Sequence, residues 1–493
     1  MPCVDLHSQT DYASIYYTTN TPYSNVGGFD PEKPTVVVLH PVFLDSTWTD
    51  IQLGDPRFNK NFNLIAFDMR SSGKSTCRPN AAHDNWVDAA DLGMCFQRLH
   101  LPPSHVLALE GTSVCCALRF AVLFPELCLS LTLVNVPAPI ELKWIYKNIN
   151  HLVHEACFAE DLESFEHATT ELIEFIFGSD TDPDLIEDLI EYWEVNYPPS
   201  KRVRAGETTN LYINRAPMSA DALAAITQPV LIIQGDKNEL SPIKYAKRLV
   251  TDLTNVEDGA ILYEVKGSLI LSVILYEDTE ALAGGASMIS IISGCASIVN
   301  NVFFKFLSRL PRHRSDLDPH VMSIQDRMKA ALNTLADVTG RDITNLDPLS
   351  SISFSCLTPE AIKIQSLTLM QYQANLSDAF TPDPTESRAI RCSKKEPDEW
   401  SYVEHGRPSI NSTIIVPSER VKQQDLERGQ RPPMRSDSQL SPNETAPLLK
   451  SFLIAGPVPN DRNASNIRKP RTRVIDNPQS ATAPMQRMLA SPF

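Results

Sequence analysis

Between His167 and His313 the chain has no histidine. Imidazole chemistry, whether proton transfer or metal ligation, has to draw on residues outside that span. The 10 cysteines include no C-x-x-C pair and no spacing that would hold zinc. Cys95, Cys115, Cys116 and Cys128 sit inside apolar stretches, the usage of a reduced thiol serving as a small apolar side chain in a cytoplasmic protein. Basic residues are in deficit: 44 Lys and Arg stand against 60 Asp and Glu, for a formal net charge of -16. Phosphate backbones are held by an excess of cationic side chains, so this balance argues against nucleic acid as a partner. No run reaches the ~20 uninterrupted apolar residues of a membrane span; the most apolar candidate, Ala281 to Asn300, is broken by serine and glycine. The opening residues, MPCVDLHSQTDYAS, have neither a basic start nor an apolar core, so no signal peptide is expected. A Gly-Lys-Ser triplet at Gly73 to Ser75 lacks the second glycine of a phosphate loop, Asp68 standing in its place, and no cofactor or metal is expected.

What is present centres on Ser104 to Asn135, SHVLALEGTSVCCALRFAVLFPELCLSLTLVN. An apolar run from Val106 to Leu109, a Gly-Thr-Ser turn, an amphipathic segment to Phe124 and a second apolar run from Leu129 to Val134 spell strand, turn, helix, strand. A serine on a tight turn between a strand end and a helix start has its hydroxyl pushed clear of the sheet, with the helix amides aimed at any oxyanion that forms. Ser113 is the candidate nucleophile. Gly111, two residues before it, gives backbone clearance, and Cys115 stands two after it where a second glycine would complete G-x-S-x-G.

On these residues and three further stretches, roughly residues 10 to 310 resemble the α/β-hydrolase superfamily. PTVVVLHPVFLDSTW (Pro34 to Trp48) is similar to the strand whose following loop supplies one oxyanion amide. FNLIAFDMRSSGKS (Phe62 to Ser75) is similar to the next strand and its D-x-R-x-x-G-x-S turn. QPVLIIQGDKNELSP (Gln228 to Pro242) is similar to the late strand whose loop presents the catalytic acid. The resemblance implies an α/β fold, a mostly parallel twisted sheet with helices on both faces.

After Asn135 the texture changes. Ile140 to about Thr227 is rich in helix formers and acids, and resembles the helical cap that folds over the pocket in this superfamily. Trp144, Phe158, Phe165, Phe175 and Trp193 are candidates either to line an apolar pocket or to form the core of the cap. The hydrolase-like domain is expected over residues 1–310, with its cap at about 140–227 and a final helix at Ala296 to Leu310. Ser268 to Ala283 reads as an insertion before that helix. Residues 311–493 turn polar and proline-rich, as in TPDPTES and RPPMRSDSQLSPNETAP, and are expected to be a largely disordered tail with one helical stretch, Val321 to Val338.

The resemblance assigns roles to particular positions. Ser113 would be the nucleophile. Pro41 has no amide hydrogen, so the oxyanion donors would be the amides of Val42 and Val114. Asn238 stands where the acid is expected, which leaves Asp236, with Glu239 as its neighbour, to supply a carboxylate. The base position has no histidine, and a substitute would come from His40, His105, His151 or His154. Asp68 and Arg70 are expected to pair and fix their turn. Two readings remain open: a serine hydrolase cleaving an ester or related bond of a small apolar substrate through Ser113, or a catalytically inactive relative acting as a ligand-binding or regulatory protein.

Overall fold

The computed structural model describes residues 2–178, 181–266 and 288–382. Its sheet is built from strands β1 (Cys3–His7), β2 (Tyr12–Thr19), β3 (Thr35–Leu39), β4 (Asn63–Phe67), β5 (Thr76–Cys77), β6 (Ser104–Leu109), β7 (Cys128–Val134), β8 (Val230–Gly235) and β9 (Ile261–Val265). They lie in the order β1-β2-β4-β3-β6-β7-β8-β9, with β5 against β2. β2 is antiparallel to its neighbours, and every pairing from β4 to β9 is parallel. Sequence explains the division. β1 alternates exposed and buried residues, as a strand covered on one face does. β3 (TVVVL), β4 (NLIAF), β6 (SHVLAL) and β8 (VLIIQG) are buried throughout, the pattern of parallel strands covered on both faces.

Alternation along each central strand sorts side chains into two layers. Val37 and Leu39 face the layer with helices α1 (Asn85–Arg98) and α2 (Thr112–Leu123), whereas Val36 and Val38 face Phe58, Val299 and Phe303. Between β7 and β8 the chain leaves the sheet for a helical insertion: α3 (Lys143–Cys157), α4 (Leu162–Phe177), α5 (Pro183–Asn196) and α6 (Arg202–Ile213). This insertion has its own core, which also takes in Val42, Phe43, Leu44 and Trp48 from the segment after β3. Helix α7 (Ile243–Asp252) follows β8, and α8 (Ser293–Leu307) matches the expected final helix. The expected insertion at 268–283 lies outside the described residues.

The domain does not end at 310. Helix α9 (Ile324–Thr339) covers the stretch expected to be helical, but a turn of 3-10 helix at Ser351–Phe354 and helix α10 (Pro359–Gln373) follow it. Met328, Ala331, Leu332, Leu335 and Phe354 are buried in the main core, so residues 311–382 correct the boundary of the expected disordered tail. The reason is visible in α1, whose residues from Asn85 to Gln97 are all buried: the sheet covers one side of it and this extension the other. Residues 383–493 lie outside the described residues. Among the described residues no helix is long and apolar enough to cross a membrane.

Candidate functional site

At the end of β6 the chain turns within two residues. Glu110 has φ 66° and Gly111 has φ 63° with ψ -127°, and α2 begins at Thr112. That second conformation is strained for any residue with a side chain, so glycine is the residue it tolerates best. A Cβ on Gly111 would lie 2.9 Å from Cγ1 of Val42. The raised apex of the elbow therefore belongs to Gly111.

Ser113, the expected nucleophile, is the second residue of α2. It is 3% exposed, and its hydroxyl donates to the Glu110 carbonyl at 2.8 Å. Two residues, about half a helical turn, separate the apex from Ser113, and here the hydroxyl folds back on the backbone. Val114, the expected oxyanion donor, is the next residue along the helix, and its side chain lies in the main core. The residue that directly follows the apex is Thr112. Val42, the other expected oxyanion donor, has its side chain against Gly111.

Two of the candidate bases, His40 and His105, have ring nitrogens bonded elsewhere. The Nε2 of His40 accepts from the amide of Met69 at 3.0 Å, which leaves Nδ1 to carry the proton and donate to the Pro41 carbonyl at 2.8 Å. Burial lowers the pKa of this ring, holding it neutral with both nitrogens used. His105 lies within β6 with Nδ1 2.8 Å from the Ser130 hydroxyl, and burial pushes its pKa down to about 4. His151 and His154 are on α3, the first exposed and 3.7 Å from Glu155, the second stacked on Phe158. On the acid side, Asp236 is half-buried, and its amide donates to the Val265 carbonyl at 3.0 Å. Asn238 is buried and accepts from the Ser241 amide at 2.8 Å; Glu239 is exposed.

A buried carboxyl that sequence reasoning passed over sits at the elbow. Glu110 accepts from Asn135 Nδ2 (3.1 Å), the Ser290 amide (3.2 Å) and the Ser290 hydroxyl (2.9 Å). Burial pushes its pKa up to about 8, against the opposing pull of these donors. Asn135, itself at φ 51°, also accepts from the Gly235 amide at 3.0 Å, so one polar chain ties together the ends of β6, β7 and β8 and the segment before α8. The signal for Glu110 and Gly111 was the end of the apolar run at Leu109. The turn falls directly after it, two residues before the serine.

The expected Asp68–Arg70 pair does not form. Arg70 instead holds Asp11 and Asp91, each at 2.8 Å, all three buried. Asp68 accepts the amides of Ser46 (2.8 Å) and Lys74 (2.7 Å), stabilising the turn through backbone rather than through the guanidinium. Burial, with Asp45 adding repulsion, pushes Asp68 up to about 7.

A cavity of about 20 Å³ remains beside Gly111, room for one water-sized molecule. Val42, Phe43, Ile149, Ile176, Tyr212, Leu240 and Met288 line it, with Glu110 and Ser241 as its polar members. Of the two roles open to the cap aromatics, Phe165 and Trp193 take the core of the insertion, Phe158 and Phe175 pack against that core, and Trp144 is 42% exposed.

No protein-family model matches this sequence, and no curated protein matches it. Solved structures do resemble it. An esterase from Thermogutta terrifontis is 14% identical, covering 63% of this chain and 99% of its own, with a TM-score of 0.46. The enol-lactonase from Burkholderia xenovorans is 15% identical over 62% of this chain and 100% of its own, with a TM-score of 0.47. An alpha/beta hydrolase enzyme from a deep-sea metagenome library of the Medee basin is 17% identical over 62% of this chain and 98% of its own, with a TM-score of 0.47. The strand order with its single antiparallel reversal at β2, the helical insertion between β7 and β8, and the elbow joining β6 to α2 give this chain the fold of the α/β-hydrolase superfamily.

Proposed function

We propose that this chain is a non-catalytic protein of the α/β-hydrolase fold, which uses the apolar recess beneath its helical cap to bind a small apolar ligand and does no acyl-transfer chemistry at the elbow. The observation that carries the reading is the glycine at the apex. A nucleophile at Gly111 would face Val42 and the cavity, whereas the hydroxyl of Ser113 is spent on the Glu110 carbonyl. The rest of the proton-transfer chain agrees with this. His40 is neutral and doubly bonded, and the amide of Asn238 cannot offset the charge of an imidazolium. The mostly apolar lining of the cavity supports an apolar ligand class, and its size means that binding requires the cap to yield.

The test is a fluorophosphonate probe on the purified chain, run beside a serine hydrolase of known activity, together with titration of a small fluorescent apolar dye. The expected result is no labelling of this chain and saturable dye binding that Ile149→Asp weakens. Labelling that disappears in Ser113→Ala would overturn the reading in favour of an ester hydrolase acting through Ser113 and Asp236.

A further inference from the structure

We infer that residues 359–382 form a built-in strap that holds the helical insertion closed over the elbow cavity. The strap is anchored on the core side first. Phe354 is fully buried in the main core, and the amide of Cys356 donates to the Asp84 carboxylate at 2.7 Å, at the N-terminus of α1. From there α10 crosses to the insertion. Tyr372, 3% exposed, belongs to the core of the insertion rather than to that of the sheet. Its ring stands edge-on to Phe158 at the end of α3, with centroids 5.3 Å apart. On α6 it meets Gly206, where an added Cβ would come within 3.0 Å of the ring. Glycine at this position of α6 leaves the ring room to seat against the helix.

A second bond line lies beside the ring. The guanidinium of Arg202, 5% exposed, donates through Nε to the Tyr372 carbonyl at 2.8 Å and through Nη2 to the Ala374 carbonyl, and it lies over the Phe158 ring at 4.6 Å. These are the unpaired carbonyls at the C-terminus of α10, the end of a helix that attracts a cation. Further on, the Phe380 carbonyl accepts from the Ser200 amide at 3.1 Å, and its side chain packs against the insertion. A segment fixed to the sheet domain at one end and to α3 and α6 at the other restrains exactly the motion by which the insertion would lift from the cavity.

Hydrogen exchange on the full-length chain tests this. In Tyr372→Ala, exchange in residues 143–177 is expected to rise by about tenfold or more while β3, β6 and β7 keep their protection. Arg202→Lys, which keeps the charge but loses the forked donor geometry, is expected to give a smaller rise in the same residues and serves if the first variant does not fold. Unchanged exchange in 143–177, or a rise shared equally by the sheet, would overturn the strap. The cavity's ligand rests on the preceding proposal, and dye binding reads it separately: faster exchange without tighter or faster dye uptake leaves the strap standing and counts against the binding site.

Discussion

A single residue decides what the elbow can do. Glycine at φ 63° and ψ -127° keeps the apex free of backbone strain and places no side chain there. Gly111→Ser is expected to restore a hydroxyl at the apex and to lower stability by about 1–3 kcal/mol, because the new Cβ meets Val42 and the backbone is unfavourable for a side chain. Thermal or urea unfolding of the variant measures this, and a stability equal to that of the parent would contradict the close approach. Glu110 gives a pH-dependent prediction at the same place. Its native pKa is raised from 4.5 to about 8, so between those values the folded state holds a proton that the unfolded state has released. Stability from this group is therefore greatest below about 4.5 and is lost as pH rises toward 8. Glu110→Gln should flatten the fall in melting temperature over that window. Asp68, raised to about 7, keeps part of the slope in the variant. An unaltered slope would mean that Glu110 does not titrate there.

At the scale of elements, the insertion is joined to the sheet domain by buried polar contacts as well as by packing. Glu207 on α6 accepts from the Ser71 hydroxyl at 2.6 Å and from the Asn80 amide at 2.8 Å, and Arg204 donates to the carbonyls of Gly73 (2.7 Å) and Ser75 (3.0 Å). The turn after β4 is thus held through α6, the role that sequence reasoning had given to an Asp68–Arg70 pair. Glu207→Ala removes the acceptor of the buried Ser71 hydroxyl and of the half-buried Asn80 amide and is expected to cost about 1–3 kcal/mol in unfolding free energy. Glu207→Gln, which retains one acceptor oxygen, should cost less, and denaturant titration of the pair distinguishes a bonding role from a simple packing role. Arg70 illustrates why the partners were not legible. Its carboxylates come from Asp11, before β2, and Asp91, within α1, so only the folded chain brings the three together.

For the molecule as a whole, the extension beyond residue 310 is part of the folded body. Leu332 and Leu335 are fully buried in the main core, and Arg327 pairs with Glu126 in the turn before β7. A chain stopped after residue 310 would expose the outer face of α1 and is expected to aggregate or lose cooperative unfolding, whereas one stopped after 382 keeps every core residue described above. Expression of both, with calorimetry on whatever is soluble, checks this. Equal melting temperatures for the two would refute the structural role of the extension. Leu332→Ala in the intact chain, expected to cost about 2–5 kcal/mol, localises the effect to α9.

The sequence by itself pointed to a mostly parallel sheet and a helical insertion, because apolar runs and helical periodicity are local patterns that burial enforces directly and because those stretches carry a family resemblance, whereas the order of the strands in the sheet came from the structure. It also located the elbow to within two residues. Which of those residues stands at the apex was decided by the tertiary structure, since the strained conformation is set by where β6 ends against β7 and where Val42 crowds the backbone. The fate of residues 311–382 was decided there too. Their helix at Ile324–Thr339 was legible, but that they pack into the main core depends on the outer face of α1, a partner distant in sequence that no local pattern names.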